Sequence, residues 1–362
     1  MEPNPPSPPP HPPRSILLPH FADVDGLACV VWARLYGGFD RIFPVDYGFE
    51  EDPETVADLM RYDKIILADI SCSEEFFLLL KNAGKDVRIF DHHDSSSWAK
   101  AYPENSHDET RSGARIFVED YYGKKRLLPA MNQFKLLVDT YDRFVTGSPL
   151  WEEAKNLNRV FFSYAAWGQE DALDRHDTFI RVILEKFNRP EKFFWTVKEE
   201  QAIVKAKNRE MKALQDGLAS IQIRRSVNGL TFAVMKFGAK ISLVAHKILH
   251  ESSLTDTLDY IVVVNDYGNK LGHISGRSRD EEKFKVNTLY PFKGHPCAAA
   301  CDLSPEDALF LYNNPVGFAL RADMPDEENL DGDEIDPPQI FILAETLDVE
   351  FQVYFKEGQN GL

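Results

Sequence analysis

Between Ser15 and Asp94 the sequence repeats one pattern: a short apolar run, a polar stretch, then a segment of helical length. The apolar runs are SILLP (15–19), RIFPV (41–45), KIILADI (64–70) and DVRIFD (86–91), with helices expected at about 27–36, 53–60 and 73–83. Continuous apolar strands need cover on both faces. Such strands alternating with helices predict an α/β architecture with a doubly wound parallel sheet. In sheets of this kind ligands bind outside the carboxyl ends of the strands.

Those ends carry unusual polar residues. His20, Asp23, Asp25 and Gly26 follow the first run, Asp69 closes the third, and Asp91, His92 and His93 close the fourth. A later helix carries Asp139 and Asp142 in VDTYDRF. Each small group has an ordinary structural role open to it. DVDG reads as a helix N-cap, Asp69 can cap the next helix, and Asp139 with Asp142 can form a solvated face. Two adjacent histidines directly after a buried strand have no packing rationale. Taken together the groups form a mixed oxygen and nitrogen set without thiolates, suited to Mn²⁺ or Mg²⁺. The number of carboxylates fits two ions, and ions roughly 4 Å apart are a known solution for phosphoester hydrolysis.

The chain has 362 residues, so two domains are expected. Residues 1–14 form a proline-rich tail; its first thirteen hold eight prolines and lack the apolar core of a signal peptide. Residues 111–218 read as mostly helical, ending in a charged helix over 196–218 that suits a connector. After Gly217 the texture turns to strands, with turns at Val227-Asn228-Gly229 and Tyr267-Gly268-Asn269. Gly294-His295-Pro296 is expected to turn into a small-residue helix, CAAAC, whose first N–H groups face a phosphate or base. On that helix Cys297 and Cys301 share one face, and the four cysteines read as free thiols in a reducing compartment. No stretch approaches the roughly 20 apolar residues that span a bilayer.

Net charge is −17. Eight acids lie in one run, Asp323–Asp336; without them 50 acids face 41 bases, a balance of −9. Such a chain is a poor match for long duplex DNA, which needs a basic surface.

The order of polar groups resembles the DHH phosphoesterase superfamily, named for the residues matched here by Asp91-His92-His93. That family's pattern runs His-x-x-x-Asp-x-Asp, a strand-end Asp, Asp-His-His, then an Asp followed by Thr. Here two residues, not three, separate His20 from Asp23. The resemblance implies metal ligands at His20, Asp23, Asp25, Asp69 and His92, with Asp69 bridging two Mn²⁺ ions (or Mg²⁺), and His93 nearer the substrate. Asp139 matches the Asp-Thr form of the last ligand and Asp142 the Tyr-Asp-aromatic form of oligoribonuclease-like members; both stay open. GHISGRSRD and YPFKGHPCAAAC resemble the DHHA1 domain, implying substrate contacts from Arg277, Ser278, Gly294, His295 and Pro296. The implied layout is a DHH catalytic domain at 15–195, a helical linker at 196–218, a smaller α/β DHHA1 domain at 219–313, and an extension with an acidic loop at 314–362.

The expected function is a cytoplasmic, Mn²⁺-dependent phosphodiesterase. Its substrates would be short RNA or DNA oligonucleotides, cyclic dinucleotides or 3′-phosphoadenosine 5′-phosphate; a homodimer is compatible with the resemblance. Asp91 would orient a histidine, and His93 would steady developing charge or protonate the leaving oxygen. Three rivals are weighed: a RecJ-like exonuclease, which the charge disfavours; a pyrophosphatase or polyphosphatase, which should lack the Gly-His-Pro module; and a non-enzymatic nucleotide sensor, which loss of ligands would favour.

Overall fold

The structure, a computed structural model, describes residues 13–123, 125, 127–164, 172–189, 192–226, 229–236, 241–265, 272–280, 282–289, 292–295, 298–314, 316–318, 341–343 and 345–346. The proline-rich start and the acidic run at 323–336 lie outside them. The chain divides into two compact units, Met1–Val204 and Lys205–Leu362.

In the first unit, strands β1 (Ser15–Pro19), β2 (Arg41–Ile42), β3 (Lys64–Ala68), β4 (Asp86–Asp91) and β5 (Ser106–His107) form one sheet. Its order is β2-β1-β3-β4-β5 and every pair is parallel, as the apolar runs predict. Alternate residues serve opposite faces. Leu17, Ile66, Ala68 and Phe90 pack with α1 (Val24–Tyr36), α4 (Gly113–Ile116), α5 (Pro129–Asp142), α6 (Trp151–Tyr164) and α7 (Ala172–Phe187). Ile16, Leu18, Ile65, Leu67, Val87 and Ile89 pack with α2 (Pro53–Leu59) and α3 (Glu74–Asn82). The second strand is shorter than expected, although Phe43 N–H still donates to Leu17 and Val45 N–H to Pro19; Val45 rejoins the sheet as a single parallel bridge to His20. The polar, two-residue β5 has no apolar run to announce it.

From β1 the chain crosses to β2 on one side and then to β3 on the other. That reversal opens a crevice between the carboxyl ends of β1 and β3. Tight backbone bonds carry the strands past their ends: His20 N–H donates to Ala68 at 3.2 Å, and Asp69 N–H to Phe90 at 2.9 Å.

Helix α8 (Val197–Ala219) opens with a reciprocal capping box. The Thr196 N–H donates to Glu199 Oε2 at 2.7 Å, and the Glu199 N–H to Thr196 Oγ1 at 3.3 Å. The boundary between the two units falls inside this helix, after Val204.

The second unit holds a seven-stranded sheet. Its strands are β6 (Gln222–Arg225), β7 (Thr231–Lys236), β8 (Tyr260–Val264), β9 (His273–Ser278), β10 (Lys293–His295), β11 (Ala298–Asp302) and β14 (Glu345–Thr346), in the order β10-β11-β9-β8-β7-β6-β14. β7 and β8 run parallel with α9 (Ile241–Glu251) between them in sequence; the other pairs are antiparallel. β12 (Val316–Phe318) and β13 (Phe341–Leu343) pair separately. Gly229 takes φ 78° in the first expected turn, while 227–228 and the whole second turn lie outside the described residues.

One expectation fails here. Ala298–Asp302 is a strand, not a helix, laddered to β9 on one side and to β10 on the other. Alanine's helix preference is a weak prior, and two rows of ladder bonds outweigh it. The N–H groups that a helix start would leave open belong to a sheet instead, and Cys301 has no helical face to share with residue 297.

Candidate metal centre

Five elements, β1, α1, β3, β4 and α5, deliver the polar residues of the first unit. β1 ends at His20, buried with 5% exposure. Asp23 is the N-cap of α1, its Oδ1 accepting from Gly26 N–H at 2.9 Å, while its Oδ2 lies 2.9 Å from His20 Nδ1. The helix-cap and ligand readings of DVDG therefore describe the same side chain, one oxygen each. Asp25, in the first turn of α1, is 0% exposed and accepts from Ala114 N–H at 3.3 Å through both oxygens.

Asp69 ends β3 with φ 60°, in the left-handed region that few residues other than glycine adopt. It does not cap the next helix; Ser73 does, accepting from Phe76 N–H. The conformation instead turns the carboxylate into the crevice. Two glycines make room. A Cβ on Gly113 would come within 2.5 Å of Asp69 Oδ1, and one on Gly26 within 2.2 Å of the His20 carbonyl oxygen. Gly113 was not among the sequence candidates; its one signal is its place after Ser112, the N-cap of α4.

The side chains then converge. Asp69 Oδ2 lies 3.6 Å from His20 Nδ1, and Asp69 Oδ1 lies 3.4 Å from His92 Nε2, which is 3.3 Å from Asp142 Oδ2. Donor atoms fall into three groups within 4.8 Å: Asp69, Asp91, His92 and His93; His20, Asp23 and Asp69; Asp25, His92 and Asp142. Asp69 and His92 each belong to two of them. Both nitrogens of His20, both oxygens of Asp69, Asp91 Oδ2, His92 Nε2 and Asp142 Oδ2 are buried without hydrogen-bonding geometry. All but Asp91 Oδ2 stand at ion-pair distance from an opposite group yet are not aligned to share a proton. Buried polar atoms left this way cost roughly 1–3 kcal/mol each, and a divalent cation is the partner that oxygen and imidazole donors at such spacing accept. The residues present fit a metal site.

The electrostatics point the same way. Burial alone would lower the His20 pKa, but Asp23 and then Asp69 push it up to about 11. Burial likewise opposes the charge on His92, and Asp142 with Asp69 raises it to about 10. Asp25 is driven well above the carboxylate range by burial and then by Asp69 and Asp142. Asp142 is raised to about 7 by burial, with His92 opposing and Asp69 adding. Burial also works against the Asp69 carboxylate, yet His20 and His92 hold it far below the usual range. The cluster holds more negative charge than it can bear without protons or a cation.

His92 and His93 part company, as neighbours at a strand end should. His92 faces the carboxylates. His93 puts Nδ1 on Asp91 Oδ1 at 2.7 Å and Nε2 against the Tyr47 hydroxyl at 3.2 Å. Burial opposes the imidazolium, and the Asp91 contact raises its pKa. The same Asp91 oxygen also accepts from His92 N–H at 2.8 Å, and the His93 carbonyl accepts from His107 Nε2 at 2.8 Å.

The two candidates on α5 separate. Asp142, the last residue of the helix, reaches His92. Asp139 has other partners: its oxygens accept from Ser112 N–H at 2.9 Å and Arg115 Nη1 at 2.9 Å. Three residues make nearly one helical turn, and that small angular step sends one carboxylate to the rim and the other to a guanidinium. The helix stops behind Asp142 in a Schellman arrangement, with Phe144 N–H bonded to Tyr141 and Val145 N–H to Thr140. Phe144 occupies the position usual for glycine, at φ 54°.

In the second unit, half-buried Arg277 lies on β9 and donates from Nη1 to the Gly276 carbonyl at 2.7 Å. Ser278 is buried and donates to the Phe284 carbonyl. Gly294 and His295 are described by their backbone pairing in β10, and Pro296 lies outside the described residues. An open cleft of about 740 Å³ in this unit is lined by both signs of charge, among them Asp256, Asp280, Arg279 and Lys283. Among the described residues, neither Arg277 nor Ser278 lines it.

No protein-family model and no curated protein matches the sequence. Solved structures do match the fold. One, described as the pGpG-specific phosphodiesterase PggH from Vibrio cholerae, superposes with a TM-score of 0.50 at 13% identity, covering 83% of this chain and 96% of that one. Another, described as the DHH domain of a member of a ribosomal-protein family, has a TM-score of 0.49 at 16% identity, covering 83% and 86%. The all-parallel sheet in the order β2-β1-β3-β4-β5 carries Asp91-His92-His93 at the end of β4, and the chain shares its fold with the structure described as a phosphodiesterase.

Proposed function

We propose that this protein is a divalent-metal-dependent phosphodiesterase acting on short oligonucleotides or small nucleotides, with Mn²⁺ as its working ion. The observation that carries the reading is the set of buried, unaligned oxygens and nitrogens at the crevice between β1 and β3. His20, Asp23, Asp25, Asp69, His92 and Asp142 would hold the metal, with Asp69 common to two donor groups. Bound there, divalent ions supply positive charge to a phosphate and lower the pKa of water. Asp91 holds the His93 imidazole through Nδ1, and His93 is the residue we assign to the leaving oxygen. Arg277 is the second unit's candidate for gripping a phosphate or stacking on a base. A neighbour in fold described as acting on pGpG is in keeping with a small nucleotide substrate.

The test is a panel of dinucleotides, cyclic dinucleotides, 3′-phosphoadenosine 5′-phosphate and pyrophosphate, each with Mn²⁺ and with chelator. Chelator-sensitive release of mononucleotides is expected, with little action on pyrophosphate. RNA from dinucleotide to 24-mer, at fixed salt, should show no gain in kcat/KM with length, because a chain with a net charge of −17 has little basic surface to track phosphates. Preference for pyrophosphate, or a steep salt-dependent rise with length, would sink the reading in favour of its rivals.

A further inference from the structure

Tyr47 sits in the loop after β2, and the assignments above give it no role. Val45 bridges His20 in parallel register, accepts from Phe21 N–H at 2.8 Å and donates to Pro19 at 3.0 Å, which ties the loop to the end of β1. Asp46 Oδ1 accepts from Tyr47 N–H at 2.8 Å and lies 3.6 Å from His20 Nε2. Gly48 turns the chain immediately afterwards with φ 80°. The side chain is held as well. Its hydroxyl is 3.2 Å from His93 Nε2, and its ring lies 5.2 Å from the His20 ring and edge-on to His93 at 6.1 Å. Yet Tyr47 is 59% exposed. A single exposed aromatic is ordinary. One tied to the rim through both backbone and hydroxyl, with more than half its surface left to solvent, gains little from its own burial.

We propose that the Tyr47 ring is a stacking platform for a nucleobase beside the scissile phosphate, so that the substrate is a nucleoside phosphodiester, with purines favoured over pyrimidines. The proposal rests on the phosphodiesterase reading and names the part of the substrate that the donor cluster cannot grip. Hard divalent ions bind phosphate oxygens and do not distinguish bases. A phosphate seated at the rim puts each base one sugar away, and Tyr47 stands one ring away from His20 and His93. A tyrosine has only two side-chain torsions, and with its hydroxyl held little freedom remains to be lost on binding. An aromatic ring stacks on any base, because every base has a π-face, and the larger purines overlap it more. The phenolic oxygen lies at the ring edge, so a base on the ring face leaves the contact with His93 in place. Stacking also needs no basic surface, which suits a chain with a net charge of −17. No proton or bond changes hands in this role.

The experiment uses the full chain with Mn²⁺ and dinucleotides that carry a purine, a pyrimidine or no base on each side of the phosphate in turn. Wild type should favour the purine over the abasic form on one of the two sides. Tyr47→Ala should lower kcat/KM for that purine form about five- to a hundredfold, the worth of one stacked base, and erase its advantage over the abasic form. Tyr47→Phe, which keeps the ring, should keep the order purine, pyrimidine, abasic. An equal loss on all three forms, or no loss on any, overturns the proposal; in the first case the ring would be supporting the rim and not holding a base. A second arm needs no turnover. Tyr47→Trp places an indole on the platform, and adenosine 5′-monophosphate with Mg²⁺ should quench its fluorescence beyond the change seen in wild type, while ribose 5-phosphate should not. Absence of added quenching, or equal quenching by ribose 5-phosphate, overturns the proposal even where dinucleotides are cleaved, and leaves the phosphodiesterase reading standing. Added quenching by the nucleotide alone, in a protein that cleaves no phosphodiester, supports the platform and places the failure with that reading.

Discussion

The polar ends of the two sheets are built on opposite terms. At the rim of the parallel sheet, buried oxygens and nitrogens of Asp69, His20, His92 and Asp142 face one another without hydrogen-bond alignment. In the second unit the polar groups singled out from sequence are engaged locally: Ser278 donates to the Phe284 carbonyl, Arg277 to the Gly276 carbonyl, and the Gly294 and His295 backbone lies in a ladder. α5 repeats the contrast within one turn, Asp139 being satisfied by Ser112 and Arg115 while Asp142 is not. Folding satisfies buried polar groups wherever it can. A cluster left unsatisfied across four elements, beside a backbone strained at Asp69, is where a missing partner belongs.

The largest expected effect comes from the atom set shared most widely. Asp69→Ala should reduce metal-dependent turnover by well over the roughly hundredfold associated with residues that merely support a metal ligand. Isothermal titration with Mn²⁺ should lose at least one binding event. A folded variant with wild-type turnover and stoichiometry would break the contrast at its centre.

Next, the two α5 carboxylates should fail in different ways. Asp142→Ala should cost Mn²⁺ affinity and activity with little change in metal-free stability. Asp139→Ala should lower stability by about 1–3 kcal/mol, the worth of buried bonds to charged groups, and leave Mn²⁺ affinity near wild type. Denaturant melts and metal titrations of both variants check this; exchanged phenotypes would reverse the assignment.

The adjacent histidines sharpen the comparison further. His92→Ala should weaken Mn²⁺ binding more than it slows turnover at saturating metal, because His92 Nε2 stands among carboxylates. His93→Ala should do the reverse, slowing turnover about a hundred- to ten-thousandfold in line with loss of one acid–base group. Equal metal loss in both would show that the two side chains do not divide the work.

The smallest effect should come from the second unit. Arg277→Ala should raise KM for a dinucleotide about tenfold, one charged phosphate contact, while bis-nitrophenyl phosphate hydrolysis persists. If both substrates suffered alike, Arg277 would be supporting the fold and not recognising a nucleotide.

Much of the first unit was readable in advance because its signals are local. Four apolar runs, doubly covered, could form little other than a parallel sheet, and the polar residues at their ends had one rim to share. Reading failed where the deciding contact lies far along the chain. Ala298–Asp302 carries helix-favouring alanines, but β9 and β10 on either side make it a strand. Tyr47 lies in a loop without periodicity, and nothing nearby in sequence hints that its hydroxyl meets a histidine 46 residues away. Gly113 resembles any residue after a helix cap until Asp69 is seen against it.

The sequence by itself determined the parallel sheet, because apolar periodicity and strand length report burial directly. It also determined which residue types stand at the strand ends. Tertiary structure alone decided which carboxylate on α5 joins the rim, which nitrogen of which histidine faces it, and which backbone bends to let them meet. Those outcomes depend on angles of a fraction of a helical turn and on contacts between segments far apart in sequence, and neither is written in the order of residues along the chain.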